Sequence, residues 1–178
     1  MSNGEGCLCF QRCGQTIYCH VVGRATMRQS PALRRRVEQC LVPGPITLHI
    51  DLHECTYMDS TFIGTLVMFK RRLAERCVGQ FALVAPSPEC SRLLRQMGLD
   101  AVFCILTDAS RLDEGGELLE CEPEGDCFKR TVVESHQELA GLPGPAGAMF
   151  REVATHLTLE WEAEQREPIP TECGARHA

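Results

Sequence analysis

The segment from residue 46 to residue 76 most restricts what this chain can fold into. Ile46, Leu48, Ile50 and Leu52 alternate with Thr47, His49, Asp51 and His53, the period of two of a strand with one buried face. A few residues later the period changes. Phe62, Leu66, Phe69 and Leu73 recur at helical spacing, and Ile63 with Val67 widens the stripe. A helix from about Ser60 to Arg76 must therefore lay an apolar face on a neighbour. The polar second face of the strand predicts a sheet covered by helices mainly on one side. Gly64 inside this helix costs roughly 1 kcal/mol relative to alanine, which points to a close approach at that position.

The same alternation extends in both directions. Thr16 to Val22 sets Ile17, Cys19 and Val21 against Thr16, Tyr18 and His20, and Cys7 to Cys13 reads as its hairpin partner across Gly14-Gln15. Ser30-Pro31, read as N-cap and first helical residue, opens a helix with Leu33, Val37, Cys40 and Leu41 on one stripe, stopped by Pro43-Gly44-Pro45. Phe81 to Ala85 is a short apolar strand. Ser87-Pro88 caps a third helix carrying Leu93, Leu94 and Met97 and closed by Gly98, and Val102 to Leu106 is a last strand. The order β-β-α-β-α-β-α-β over residues 1–107 predicts an α/β fold with a four- to five-stranded mixed sheet.

Residues 108–130 are acidic and aperiodic and read as a linker. Thr131-x-x-Glu134 has the pattern of a capping box, opening a short helix that Gly141 ends. Leu142-Pro-Gly-Pro145 reads as a turn. Met149, Phe150, Val153, Leu157 and Trp161 mark an amphipathic helix ending near Gln165, so residues 131–166 form a helical hairpin. Its stripe must dock on the domain, on its short neighbour or on a second copy in a homodimer. Residues 167–178 read as a disordered tail.

The net charge of −6 hides a split: residues 1–107 carry +4 and residues 108–178 carry −10. An acidic second half behind a mildly basic domain reads either as intramolecular contact or competition for a partner, or as a solubilising tail. Arg34-Arg35-Arg36 is accounted for as an outward helix face. No dense basic patch suits duplex binding, so no direct nucleic-acid contact is expected. No apolar run approaches a bilayer span, and the opening Met-Ser-Asn-Gly-Glu-Gly has no secretory pattern, so the expectation is a cytoplasmic protein without membrane insertion. The twelve cysteines include no C-x-x-C pair, and the run Cys7, Cys9, Cys13, Cys19, His20 lacks the paired spacing of a closed zinc site. Reduced structural thiols are the expectation. His49 and His53 flank Asp51 on one polar strand face, a pattern read as solvated residues rather than as ligands. With no nucleophile elbow, His-Glu-x-x-His or Gly-rich phosphate loop, neither an enzyme, a cofactor nor a metal is predicted.

The informative stretch is Met58-Asp59-Ser60-Thr61-Phe62-Ile63-Gly64, where the strand region passes into the most apolar helix. Asp59 or Ser60 can cap the helix, which places Thr61 in its first turn beside unpaired backbone N–H groups. A phosphate there would meet those donors and the positive end of the dipole. Taken alone, the pattern is equally an ordinary capping signal. It also resembles the signature of STAS domains, and specifically of the bacterial anti-sigma factor antagonists. Asp59, the hydroxyl pair Ser60-Thr61 and Ile63-Gly64 match it, as does Val22-Gly23-Arg24-Ala25-Thr26 after the second strand. The resemblance spans roughly residues 7–107. It departs from the family at Phe62, where a small Gly is frequent, and at Thr61, a threonine as second hydroxyl residue.

The resemblance implies a non-catalytic module that binds an anti-sigma factor which is also a Ser/Thr protein kinase. Thr61, with Ser60 as its neighbour, would be the phosphorylation site, and a PP2C-type phosphatase would reset it. The partner-binding residues would be Gly23, Arg24, Thr26, Arg28, Asp59, Ser60, Thr61, Phe62 and Gly64. Phosphorylation would add about −1.5 to −2 charges and end binding. Two other classes stay open: a STAS module without phosphotransfer that senses a small ligand or serves a transport assembly, and a thiol-based redox sensor suggested by cysteine count alone.

Overall fold

Gly14, with φ +61°, turns strand β1 (Cys7–Cys13) back on β2 (Thr16–Ala25) as an antiparallel hairpin in the computed structural model, which describes residues 6–41, 46–75, 79–107, 116–121 and 125–166. Helix α1 (Ser30–Cys40) crosses to β3 (Ile46–Asp51), which lies parallel to β2 with His20 opposite Asp51. After a turn, β4 (Cys55–Met58) pairs with the far end of β2, helix α2 (Ser60–Glu75) follows, and β5 (Gly79–Val84) lies parallel to β3. Helix α3 (Pro88–Gln96) leads to β6 (Ile105–Leu106) at one edge. At the other edge β7 (Glu117–Leu118) pairs with β1. The sheet order is β6-β5-β3-β2-β1-β7, with β4 on β2 beyond the end of β3.

The expected strands and helices up to residue 107 are thus present, with two additions and some shifted ends. β4 lacks a period-two signature because only its ends, Cys55 and Met58, are buried. β7 arises inside the expected linker, where the backbone of Leu119 also donates to Leu8 O at 2.9 Å. Of the expected strand 102–106, only Ile105 and Leu106 pair with β5. At α1, Gln29 is the N-cap and Ser30 is already helical, its hydroxyl donating to Thr26 O at 3.0 Å. Ser87 caps α3 as expected, accepting from Cys90 N at 3.2 Å. The Pro43-Gly44-Pro45 stop, Arg76, the expected tail 167–178 and residues 108–115 and 122–124 of the expected linker lie outside the described residues.

One face of the sheet makes the core. Leu8, Phe10, Ile17, Cys19, Val21, Leu48 and Ile50 from the strands meet Leu33 and Val37 of α1, Phe62, Ile63, Leu66, Phe69 and Leu73 of α2, and Leu94 of α3. Each such side chain contributes about 1.5–3 kcal/mol on leaving water. Burial pushes the Cys19 thiol up, so it serves as a small hydrophobe. The alternate residues Tyr18, His20, Thr47 and His49 are only partly covered.

The C-terminal helices differ more from expectation. Helix α4 (Asp126–Ala140) begins one and a half turns before the supposed capping box, and Thr131 sits mid-helix, its hydroxyl donating to Cys127 O at 2.8 Å. Gly144 and Pro145, read as turn residues, open α5 (Gly144–Arg166). The α5 stripe is also narrower than its sequence suggests. Phe150 and Ala154 are buried and Leu157 and Trp161 half-buried, while Met149 and Val153 face solvent. Among the described residues no helix is long and apolar enough to cross a membrane.

Candidate functional site

Asp59 joins the two segments that the sequence singles out. Its backbone N–H donates to Ala25 O at 3.0 Å, which docks the end of β4 on the end of β2. Its Oδ1 accepts from Phe62 N at 2.8 Å and its Oδ2 from Met27 N at 2.7 Å. Asp59, not Ser60, is therefore the cap of α2, a carboxylate at the positive end of the helix dipole. The same side chain pins the loop after β2. That loop is stiff. Gly23 takes φ +74°, a conformation that favours glycine, at a register shift in β2. Arg24 lies over the Tyr57 ring at 4.1 Å. Thr26 donates from Oγ1 to Gln29 Oε1 at 2.8 Å and accepts at Oγ1 from Arg28 N at 3.3 Å.

Helix α4 covers the other half of the site. A Cβ on Gly64 would stand 2.2 Å from Ser135 O, so only glycine permits this approach. Thr65 Oγ1 bonds Ser135 Oγ at 3.0 Å and donates to Thr61 O at 2.9 Å. Ser60 Oγ lies 3.0 Å from His136 Nε2. His136 Nδ1 faces Val132 O at 2.8 Å and, because a carbonyl oxygen only accepts, donates to it. Thr61, on the face that carries Thr65 one turn later, is 3% exposed, and no hydrogen bond reaches its hydroxyl among the described residues.

The nine residues named for partner binding thus divide. Arg24 and Arg28 are exposed, Gly23, Thr26, Asp59 and Ser60 are partly covered, and Thr61, Phe62 and Gly64 are buried. Phe62, at 0% exposure, belongs to the core.

Charge also helps to hold this cover in place. Arg34, 8% exposed rather than outward, bonds Glu38 at 3.0 Å on its own helix and reaches Glu134 of α4 at 2.5 Å. Burial alone would raise the Glu134 carboxyl, but the Arg130 hydrogen bond and the Arg34 charge outweigh it and hold it below its usual value. Glu38 is held low in the same way: burial raises it, and Arg34 with Arg72 overrides that. Arg71 of α2 donates to Glu138 of α4 at 2.8 Å, and Arg36 donates to Glu117 of β7 at 2.9 Å while lying over the Phe10 ring. Among the described residues, Glu117, Glu134 and Glu138 of the acidic half thus pair with arginines of the basic half.

Sequence reasoning missed Met27, Glu134, Ser135 and His136. The only signal was Gly64, which announced a close neighbour without naming it. The cysteine run splits across the sheet: Cys9 stands opposite His20, whereas Cys19 stands opposite Phe10 on the core face. His49 makes an edge contact with Tyr18 at 5.4 Å, and burial holds its imidazole below the usual value.

Residues 10–107 match the family described as the Mlab, STAS domain. Among solved structures, the anti-sigma factor antagonist SpoIIAA in its unphosphorylated form is 19% identical, with a TM-score of 0.50 over 57% of this chain and 89% of that one. An anti-sigma factor antagonist from Mycobacterium paratuberculosis is 21% identical, with a TM-score of 0.51 over 60% of this chain and 90% of that one. At these identities the likeness is one of fold. No curated protein matches the chain significantly. The family match ends at residue 107, ahead of the α4–α5 hairpin. With more than half of its length inside that match, and with the hairpin, crossovers and capped α2 that the signature calls for, the chain belongs to the STAS-domain family.

Proposed function

We propose that this STAS domain is a protein-interaction module of the anti-sigma factor antagonist type, regulated by phosphorylation at the start of α2. The observation that carries the reading is the double role of Asp59. One carboxylate holds the helix start and the Gly23–Arg28 loop together, so the two predicted contact segments form one surface. The partner would be an anti-sigma factor that is also a Ser/Thr kinase, acting in the cytoplasm, with a PP2C-type phosphatase as the opposing enzyme.

The hairpin adds a condition. Thr61 lies too deep for a kinase while α4 is in place, and Ser60 is engaged by His136. The exposed loop with Arg24 and Arg28 would receive the partner first, and α4 would then lift to expose Ser60 and Thr61. Once Thr61 carries about −1.5 to −2 charges, α4 could no longer close over it, because closing would bury and desolvate the phosphate.

Intact-mass measurement and phosphosite mapping of the protein from its native cells test this. Phosphate on Thr61 or Ser60 supports the switch, and Thr61→Glu should then weaken partner binding while Thr61→Ala preserves it. No phosphate under growth or stress, in the wild type and in a Ser135→Glu variant whose α4 is loosened, would overturn it. The second reading is a STAS module without phosphotransfer that senses a small ligand or serves a transport assembly. The deep burial of Thr61 favours it.

A further inference from the structure

A second constellation lies on the polar face of the sheet. His20 and Asp51 are register partners across β2 and β3, on the face opposite Cys19 and Ile50. His53 enters from the turn before β4, its backbone N–H donating to Asp51 Oδ1 at 3.0 Å. The two imidazoles present the same atoms in the same sense. Nδ1 of His20 is 3.5 Å from Asp51 Oδ2, and Nδ1 of His53 is 3.3 Å from Asp51 Oδ1. Both Nε2 atoms turn toward Glu54, at 2.8 Å for His20 and 4.0 Å for His53.

The Asp51 side chain is 3% exposed, yet no hydrogen bond reaches its Oδ2 among the described residues. A buried carboxylate oxygen calls for a positive or hydrogen-donating partner. His20 Nε2 stands 2.8 Å from Glu54 Oε2, and in the tautomer that donates there Nδ1 presents a lone pair toward Asp51 Oδ2. The spacing fits another partner. Nitrogen and oxygen ligands at about 2.0–2.1 Å from a tetrahedral ion stand about 3.3–3.4 Å from one another by simple geometry; the two Asp51–imidazole distances, 3.3 Å through Oδ1 and 3.5 Å through Oδ2, lie close to that value, each through a different carboxylate oxygen. Donor atoms of His20, Asp51 and His53 all lie within 4.8 Å of one another.

We propose that His20, Asp51 and His53 form a three-ligand site for a divalent transition-metal ion of the Zn²⁺ class. Two imidazoles and one carboxylate suit zinc and its neighbours rather than Mg²⁺ or Ca²⁺, which take oxygen ligands. Glu54 is a positioning residue: by accepting the His20 Nε2–H it fixes the tautomer that leaves Nδ1 free to ligate. The site lies at the carboxyl end of parallel strand β3, where open α/β sheets bind ligands, and the half-exposed His53 leaves a fourth position to solvent or to a donor from another molecule. It differs from the sequence-level pair His49–His53: the strand alternation placed His49 beside Asp51 but one register step from the cluster, and His20 comes from a strand whose pairing only the fold reveals.

The test uses the full reduced chain in a phosphine reductant, titrated with Zn²⁺ and, for spectroscopy, with Co²⁺. The chain's twelve cysteines also attract such ions, and Co²⁺ separates the cases. Nitrogen and oxygen ligands give only weak visible bands, whereas thiolates add intense near-ultraviolet charge transfer. The wild type should bind one more equivalent of Zn²⁺ than His53→Ala, and the nitrogen–oxygen Co²⁺ signal should vanish in His53→Ala and Asp51→Asn. Glu54→Gln should keep the stoichiometry and weaken affinity about 10–100-fold. His53 is 46% exposed and outside the core, so His53→Ala decides the matter even if Asp51→Asn fails to fold. Equal metal binding by wild type and His53→Ala, a Co²⁺ spectrum of thiolate character alone, or Zn²⁺ binding only at millimolar concentration would overturn the proposal.

Discussion

Helix α2 is held on its two sides by different kinds of surface. Toward the sheet it presents Phe62, Ile63, Leu66, Phe69 and Leu73, all essentially inaccessible, packed on strand side chains of the same kind. Toward α4 it presents Ser60, Gly64 and Thr65, where it meets a serine, a histidine and a rim of ion pairs, while Leu139 of α4 is buried in the shared apolar core. The first interface gains from removing hydrocarbon from water and has no aqueous substitute. The second is mixed: around Ser60, Gly64 and Thr65 it exchanges hydrogen bonds that water can replace at modest net cost, and Leu139 adds apolar burial. An apolar interface suits a contact that stays made, and the polar end of a mixed one is where a contact opens first.

That contrast can be broken most forcefully from the sheet side. Leu66→Ala should cost about 2–5 kcal/mol, read by urea denaturation, with sheet and hairpin lost together because both depend on α2. Gly64→Ala sharpens the comparison, because its effects on the two sides have opposite signs. The helix itself gains about 1 kcal/mol in propensity, while the new methyl collides with Ser135 backbone. Hydrogen exchange should therefore show faster exchange of the α4 amides with no loss of protection in β3; protection retained in α4 would mean that the approach at Gly64 is not what seats the hairpin.

A smaller effect comes from acid. Glu134 and Glu38 have folded-state carboxyls below the usual value of 4.5. Their contribution is complete above the unfolded value and lost as pH falls through the lower folded values. Protection of α4 should be flat from pH 8 to about 5 by this linkage and decline below 4.5. Glu134→Gln should flatten much of that decline; an unchanged acid response would place the titration elsewhere. Arg71→Ala, at an exposed pair, should change stability by no more than about 1 kcal/mol, measured by thermal melting.

The same contrast explains how much was legible in the sequence. Residues that touch the sheet announce themselves through period: the alternation in β3 and the stripe in α2 predicted Leu48, Ile50, Leu66 and Phe69 as core, and they are core. Residues that touch α4 do not. Thr65 and Ser135 have no hydropathy signal, and the Thr131-x-x-Glu134 pattern suggested a helix start because capping and mid-helix back-bonding use the same residue types. β4 and β7 escaped because pairing with β2 and β1, not their own composition, makes them strands. Asp59 was named as a cap, but its bond to Met27 N, 32 positions earlier in the chain, had no local trace.

The cover over Thr61 also sets a number that any binding partner of this face must contend with. Apparent affinity equals intrinsic affinity multiplied by the fraction of molecules already open. Were α4 lifted in about one molecule in a hundred, a ligand for the bare α2 surface would bind about 100-fold more weakly than to an always-open domain. The hairpin then acts as a threshold: scarce or poorly matched ligands are filtered out by the closed population, and whatever stabilises the lifted form changes the sensitivity of the whole response without altering a single contact residue.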